Sequence, residues 1–503
     1  MQLRFLIALL AANVLCFSQQ IGYHEPKTDT SGRIVPWYGG GPSEAYDFVV
    51  RATFRFWLNI APCPNGVPYY LQHQVWAPNE KDRRALGGDQ IPMALSSWNL
   101  LHGYLGDTAV RDNMVLIADY WLDHGMSAPN LLWPNLPYPY NTELHSGIYD
   151  GDMRAGKGFL QPDKAASFGA ELVTLYKITG QRKYLDAAIG IADTLAARIQ
   201  PGDATHSPWP YRVHAATDEV HSETRNGAHG VAAYTTNYTS ALQLFDDLTA
   251  LRQSNAAAYL KAKAALATWL KKYPLKTNNW GPFFEDIHTS VASNTEYNAD
   301  TMAAYLLDHP EFDPNSLRLA KGILDWSLAT FENKEYQKWG VLVLNEQTAY
   351  LVPGNSHTAR HAAAELRYGE LTGDHSLRED AIRRLNWATY TVDKDGKNRY
   401  IRSGNWLTDG YGDYIRHYLR AMAALPELAP ANQNHLLRTS SVIRSIDYGA
   451  ERIAYDKFDA RSTERFKLAA WRPRSIRGGK MQWDAAAQTL TVTATSNRVE
   501  LLK

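Results

Sequence analysis

The stretch DKAASFGAELVTLYKITGQRKYLDAAIGIADTLA, residues 163–196, decides the fold. It opens on an acid, runs through an apolar pattern of helical period, meets Gly180 and continues into a second amphipathic run. The same plan recurs at 89–122, DQIPMALSSWNLLHGYLGDTAVRDNMVLIADYWL, and at 357–390, HTARHAAAELRYGELTGDHSLREDAIRRLNWATY. Gly106, Gly180 and Gly373 stand where the first helix of each unit should stop, because glycine enters the left-handed conformation without steric cost. Two copies without that glycine begin at Asn237 and Asn298.

Working outward, the helical period predicts twelve helices, near 44–58, 90–104, 109–123, 163–178, 183–198, 237–250, 256–271, 297–308, 316–330, 357–371, 376–391 and 411–424. Links inside a repeat are short, which makes antiparallel neighbours. Links between repeats are long. The first helix of each repeat is rich in Ala, Gly, Ser and Leu, and the second carries more Lys, Arg and Asp, so the first lines the inside and the second faces water. Six such hairpins closed in a ring predict a mainly α fold, an (α/α)6 toroid over 21–430; an open solenoid would have shorter repeats and more uniform connections. After Pro430 the pattern changes to period two, and 437–503 reads as a small β-sandwich domain, either a packing element or a carbohydrate-binding module.

Residues 1–20, MQLRFLIALLAANVLCFSQQ, hold one Arg and an apolar run too short to span a bilayer, which reads as a cleaved signal peptide and a secreted or periplasmic protein. Its removal leaves Cys63 as the one thiol, so neither an internal disulfide nor a Cys-based zinc site is expected. The 52 basic and 52 acidic side chains balance, which argues against a nucleic-acid partner. No P-loop, dinucleotide fingerprint or G-x-S-x-G motif is present, and no cofactor or metal is expected. The 15 Trp and 29 Tyr suit either a large core or a groove that stacks on sugar rings.

In a toroid the N-termini of the inner helices gather at one mouth, where orphan N–H groups and helix dipoles position polar ligands. The residues at those starts are Asp89, Asp163, Asn237 and Tyr238, Asn298 and Asp300, His357, Arg360 and His361, and Asp409, Tyr411 and Asp413. Each alone could be an ordinary capping residue. The long links add Arg154, Trp209, Arg212, Trp280, Glu285 and Asp286, which either form a cleft for a polar, carboxylate-bearing sugar or fold over the toroid end as packing. Glycosidic chemistry uses two carboxyl groups, one protonated and one acting as base or nucleophile. Asp89 and Asp163, at equivalent repeat positions on consecutive inner helices, are the first pair, with Asp413, Asp300 and Glu285 in reserve. A polysaccharide lyase would instead use His357 or Tyr411 as base, with Asn237, Arg360 and His361 around a uronate carboxylate.

The segment QPDKAASFGAELVTLYKITGQRKYLDAA, 161–188, resembles the six-hairpin glycosidase superfamily, and in its L-Y-x-x-T-G-x-x-K-Y-L-x-A-A pattern the unsaturated glucuronyl and rhamnogalacturonyl hydrolases. The resemblance implies that Asp163 and Asp89 are the catalytic acids or bases. It also implies hydration of the 4,5-double bond of an unsaturated uronate, after which the ring opens and releases the next sugar. The expectation is a secreted glycoside hydrolase acting on acidic glycans, with a lyase, or a non-catalytic glycan-binding protein, as the alternatives.

Overall fold

The computed structural model describes residues 20–22, 24–60, 62–63, 66–72, 86–143, 146–225, 227–283, 293–399, 401 and 411–503. Within these residues twelve long helices form: α1 Pro42–Leu58, α2 Gln90–Leu105, α3 Thr108–His124, α4 Pro162–Thr179, α5 Arg182–Arg198, α6 Thr239–Ala250, α7 Ala256–Lys272, α8 Glu296–Asp308, α9 Ser316–Phe331, α10 Asn355–Thr372, α11 Arg378–Thr389 and α12 Tyr411–Ala424. All twelve helices read from the periodicity are present. Gly106, Gly180 and Gly373 cap α2, α4 and α10 with φ of 69°, 74° and 76°, in the left-handed region. At Gly106 the requirement is double, because a Cβ would also lie 2.8 Å from the carbonyl oxygen of Ile446.

The even-numbered helices form the inner ring, in which α2 packs on α4, α4 on α6, α6 on α8, α8 on α10, α10 on α12, and α12 back on α2. Five hairpins are consecutive in sequence. The sixth joins the chain's two ends, since α1 packs against α12 and α11. Inner helices are buried on nearly every face; α4 hides Ala165, Ala166, Phe168, Leu172, Val173 and Leu175. Burying side chains of Leu, Val or Phe size contributes about 1.5–3 kcal/mol each, and the core they build runs continuously around the ring. No helix among the described residues is long and apolar enough to cross a membrane.

The C-terminal region is a sandwich of two four-stranded antiparallel sheets. Its strands are β1 His435–Thr439, β2 Ile443–Tyr448, β3 Arg452–Lys457, β4 Ser462–Lys467, β5 Ser475–Arg477, β6 Gly479–Asp484, β7 Thr489–Ala494 and β8 Arg498–Leu502. The sheet orders are β1-β4-β7-β6 and β2-β3-β8-β5, around a core of Ile453, Phe466, Val492 and Leu501. The sandwich docks on the C-terminal ends of the inner helices, away from the mouth. The Tyr448 hydroxyl donates to the Gly103 carbonyl at 2.6 Å, and Arg444 Nε to that of Lys177 at 3.0 Å. His435 stacks on Tyr104 with ring centroids 3.9 Å apart. Glu370, near the end of α10, accepts from Arg438 at 2.8 Å and from Arg465 at 2.7 Å.

Candidate active site

The N-termini of the inner helices carry a band of buried charge. Asp89 precedes α2 and is 6% exposed, yet its carboxylate caps no backbone N–H. Asp107, by contrast, is a true cap, accepting from Ala109 N at 2.9 Å. Asp89 is therefore held at a helix start without doing the structural work that acids usually do there. The Tyr140 hydroxyl lies 3.4 Å from its Oδ1. Burial lifts the Asp89 carboxyl to about 6 against the pull of Lys164, and the charges of Asp413 and Asp163 push the same way as burial.

Asp163, in the first turn of α4, is fully buried and also caps nothing. Its Oδ2 accepts from Lys164 Nζ at 2.7 Å and from Asn237 Nδ2 at 2.9 Å, while Oδ1 has no protein partner. Lys164 also donates to the Phe283 carbonyl at 3.2 Å, with its ammonium 3.4 Å from the Phe283 ring centroid; burial lowers its pKa despite Asp163 and Asp89. Phe283 stacks on Tyr297 at 3.7 Å. Asp89, Lys164, Glu171, Asn237, Tyr297 and Arg416 share a cavity on the toroid axis of about 30 Å³, room for a water or one hydroxyl group.

Glu171 lies two turns below Asp163 on the inner face of α4. Burial lifts its carboxyl to about 8 in spite of Arg416 and Arg420. The opposite wall is a chain of ion pairs. Glu296 Oε2 lies 2.5 Å from His357 Nδ1 and accepts from Arg360 at 2.7 Å. Arg360 and Arg416 both donate to Asp413, and His417 Nε2 lies 3.3 Å from it. Burial works against the Asp413 charge, but Arg360 and Arg416 hold its carboxyl well below the usual range. Burial raises Glu296 well above that range although Arg360 opposes it. Burial, then Arg360, depresses His357 to about 3, leaving a neutral imidazole. His361 differs: burial opposes its charge, but Asp300 at 2.6 Å and Glu365 at 3.3 Å lift it to about 9.

The sequence-derived residues thus fall into three groups. Asp89, Asp163, Asn237, Asp300, His357, Arg360, His361 and Asp413 converge on the mouth and the ion-pair wall. Trp209, Trp280 and Tyr238 do not present a stacking face: all three are 0% exposed. Trp209 donates to the Leu195 carbonyl at 2.9 Å and Tyr238 to that of Trp209 at 2.6 Å, so these rings fill the toroid end. Arg212 is likewise buried, its Nε donating to Asp152 at 2.9 Å; Arg154 lies 3.5 Å from Glu223. Glu285, Asp286, Asp409 and the side chain of Tyr411 lie outside the described residues. Sequence reading passed over Lys164, Glu171, Glu296, Arg416 and His417. The signals were present: Glu296 opens EYNAD, Arg416 and His417 follow Asp413 at helical spacing, and Glu171 is an acid on an apolar inner helix. No group of three or more His, Cys, Asp or Glu among the described residues is disposed to hold a metal ion.

No protein-family model matches the chain, and no curated protein does. Among solved structures it is similar to cellobiose 2-epimerase from Spirochaeta thermophila DSM 6192, at 14% identity and a TM-score of 0.54 over 77% of this chain and 97% of that one. It is similar to cellobiose 2-epimerase from Bacillus thermoamylovorans B4167, at 14% identity and 0.54 over 75% and 98%. A D-mannose isomerase matches at 11% identity and 0.55 over 77% and 100%. At such identities the likeness is one of fold: this chain is built as an (α/α)6 toroid, as they are.

Proposed function

We propose that the chain is a secreted or periplasmic carbohydrate-active enzyme, a glycoside hydrolase acting on uronate-bearing oligosaccharides at the N-terminal mouth of the toroid. The observation that carries this reading is the contrast between two buried carboxyl groups on adjacent inner helices. Asp89 is shifted toward its protonated form, whereas Asp163 accepts from Lys164 and Asn237 through Oδ2 and keeps Oδ1 without a protein partner. One donates a proton to the bond being broken or hydrated, and the other takes a proton from the attacking water. Lys164 and Arg416 beside them favour a substrate carboxylate, and the similarly folded proteins include sugar epimerases and an isomerase.

A second reading rests on His357. Kept neutral by burial beside Glu296 and Arg360, it could remove a proton from a sugar carbon, as a lyase or an epimerase requires. Ultraviolet absorbance of the unsaturated-uronate chromophore separates the two. Falling absorbance on lyase-digested acidic oligosaccharides, slowed roughly 100-fold or more in Asp163→Asn, is the expected result. Rising absorbance on an intact acidic polymer, abolished in His357→Ala, would replace the hydrolase with a lyase. Unchanged absorbance with an epimerised product would point to an epimerase. Glycan binding without turnover would reduce the protein to a binding module.

A further inference from the structure

The lumen of the ring continues below the Arg360–Asp413 layer. Between the lower halves of α2, α8, α10 and α12 and strand β1 lies a cavity of about 460 Å³, within the range that holds small ligands. Arg360, Arg367, Arg420 and Arg438 line it with His417, and Asp308 is the one acid of the lining among the described residues. Three of the four guanidinium groups are matched: Arg360 by Glu296 and Asp413, Arg367 by Asp308 and Glu370, and Arg438 by Glu370. Arg420 is not. It is solvent-accessible and makes no ion pair or hydrogen bond among the described residues. Arginine does not shed its proton in proteins; the charge of Arg416 opposes that of Arg420, and Asp308 and Asp413 favour it without pairing to it. Leu307, Leu419 and Leu436 give the same cavity an apolar wall. Exposed Asp308 and Ser440 mark its rim, at the seam between toroid and sandwich.

We propose that this seam cavity binds a small organic anion, a compact apolar body whose carboxylate or phosphate is gripped by Arg420. The site is separate from the mouth and would take its ligand whatever the mouth catalyses. Titration calorimetry on the full chain at low ionic strength tests it, with benzoate as the carboxylate probe and inorganic phosphate as the other. Saturable one-to-one binding of at least one probe is expected, and its preference identifies the oxyanion. Arg420→Gln should weaken that binding roughly tenfold or more, the range of a lost charge-assisted hydrogen bond. Arg420→Lys should fall between the two. Asp308→Asn, at an exposed position whose acid repels the ligand, should tighten binding, and it keeps the test decisive if Arg420→Gln does not fold. Asp89→Asn should leave binding unchanged, since it acts at the other end. Absence of binding by both probes would overturn the proposal, as would affinities indifferent to Arg420→Gln and Asp308→Asn.

Discussion

The two ends of the same six inner helices are built from different materials. At the N-terminal end Asp89, Asp163, Glu296, Asp300, Asp413, His357, Arg360 and His361 are all less than a tenth exposed. At the C-terminal end glycines stop the helices, and a β-sandwich lies over them through Tyr448, His435, Arg444 and the Glu370 cluster. Buried charge is expensive, and a buried pair is weak evidence of stability. The ring concentrates buried charge at one end and meets the sandwich at the other through backbone carbonyl contacts, ring stacking and the Glu370 ion pairs, which separates the end proposed to do chemistry from the end that holds the sandwich.

The comparison can be broken by mutation. The largest stability effect should come from the mouth. Arg360→Ala leaves Glu296 and Asp413 without their shared guanidinium in a site 3% exposed, and should cost about 3–5 kcal/mol. Urea unfolding measures it, and a loss under 1 kcal/mol would mean that water relaxes the network. Next comes a pH effect from His361. Its folded pKa, about 9, lies above the ordinary histidine value of 6.5. The stability it adds is therefore fully present below pH 6.5 and is lost as pH rises through about 9. Thermal melts from pH 6 to 10 should show this fall in the wild type and a flatter profile in His361→Gln. The smallest effect belongs to the base. Gly106→Ala places a side chain at φ 69° and 2.8 Å from the Ile446 carbonyl, for an expected loss of about 1–3 kcal/mol. A neutral result there would mean the sandwich shifts easily on the ring.

Much of this architecture was legible in the residues. Period and glycine punctuation placed every long helix, because inner helices buried on all sides leave strong apolar patterns, and only glycine closes α2, α4 and α10 cheaply. Alternation announced the sheets, although the first strand starts at His435, two residues before the sandwich's expected edge. Closure into a ring was expected, but that α1 packs against α12 to complete it was not legible, since nothing local records a contact across the whole chain. At the site, acids at helix starts were readable as a set, but which of them cap the backbone was not. That distinction needs geometry, and it separates Asp107 from Asp89. The tryptophans mark the opposite limit. Composition cannot tell a ring that stacks on sugar from one that fills a toroid end, and Trp209 and Trp280 fill it.

The central claim is that Asp89 supplies the proton and Asp163 the base. The pH dependence of turnover on an unsaturated acidic oligosaccharide, compared between wild type and Asp89→Asn, tests it most directly. Burial holds the Asp89 carboxyl near 6 in the free protein, so wild-type kcat/KM should fall as pH rises through about 6. Asp89→Asn should lose roughly 100-fold or more of the rate and with it that limb of the profile, while its melting temperature stays at or above that of the wild type. A variant that turns over at the wild-type rate with the same pH limb would contradict the account.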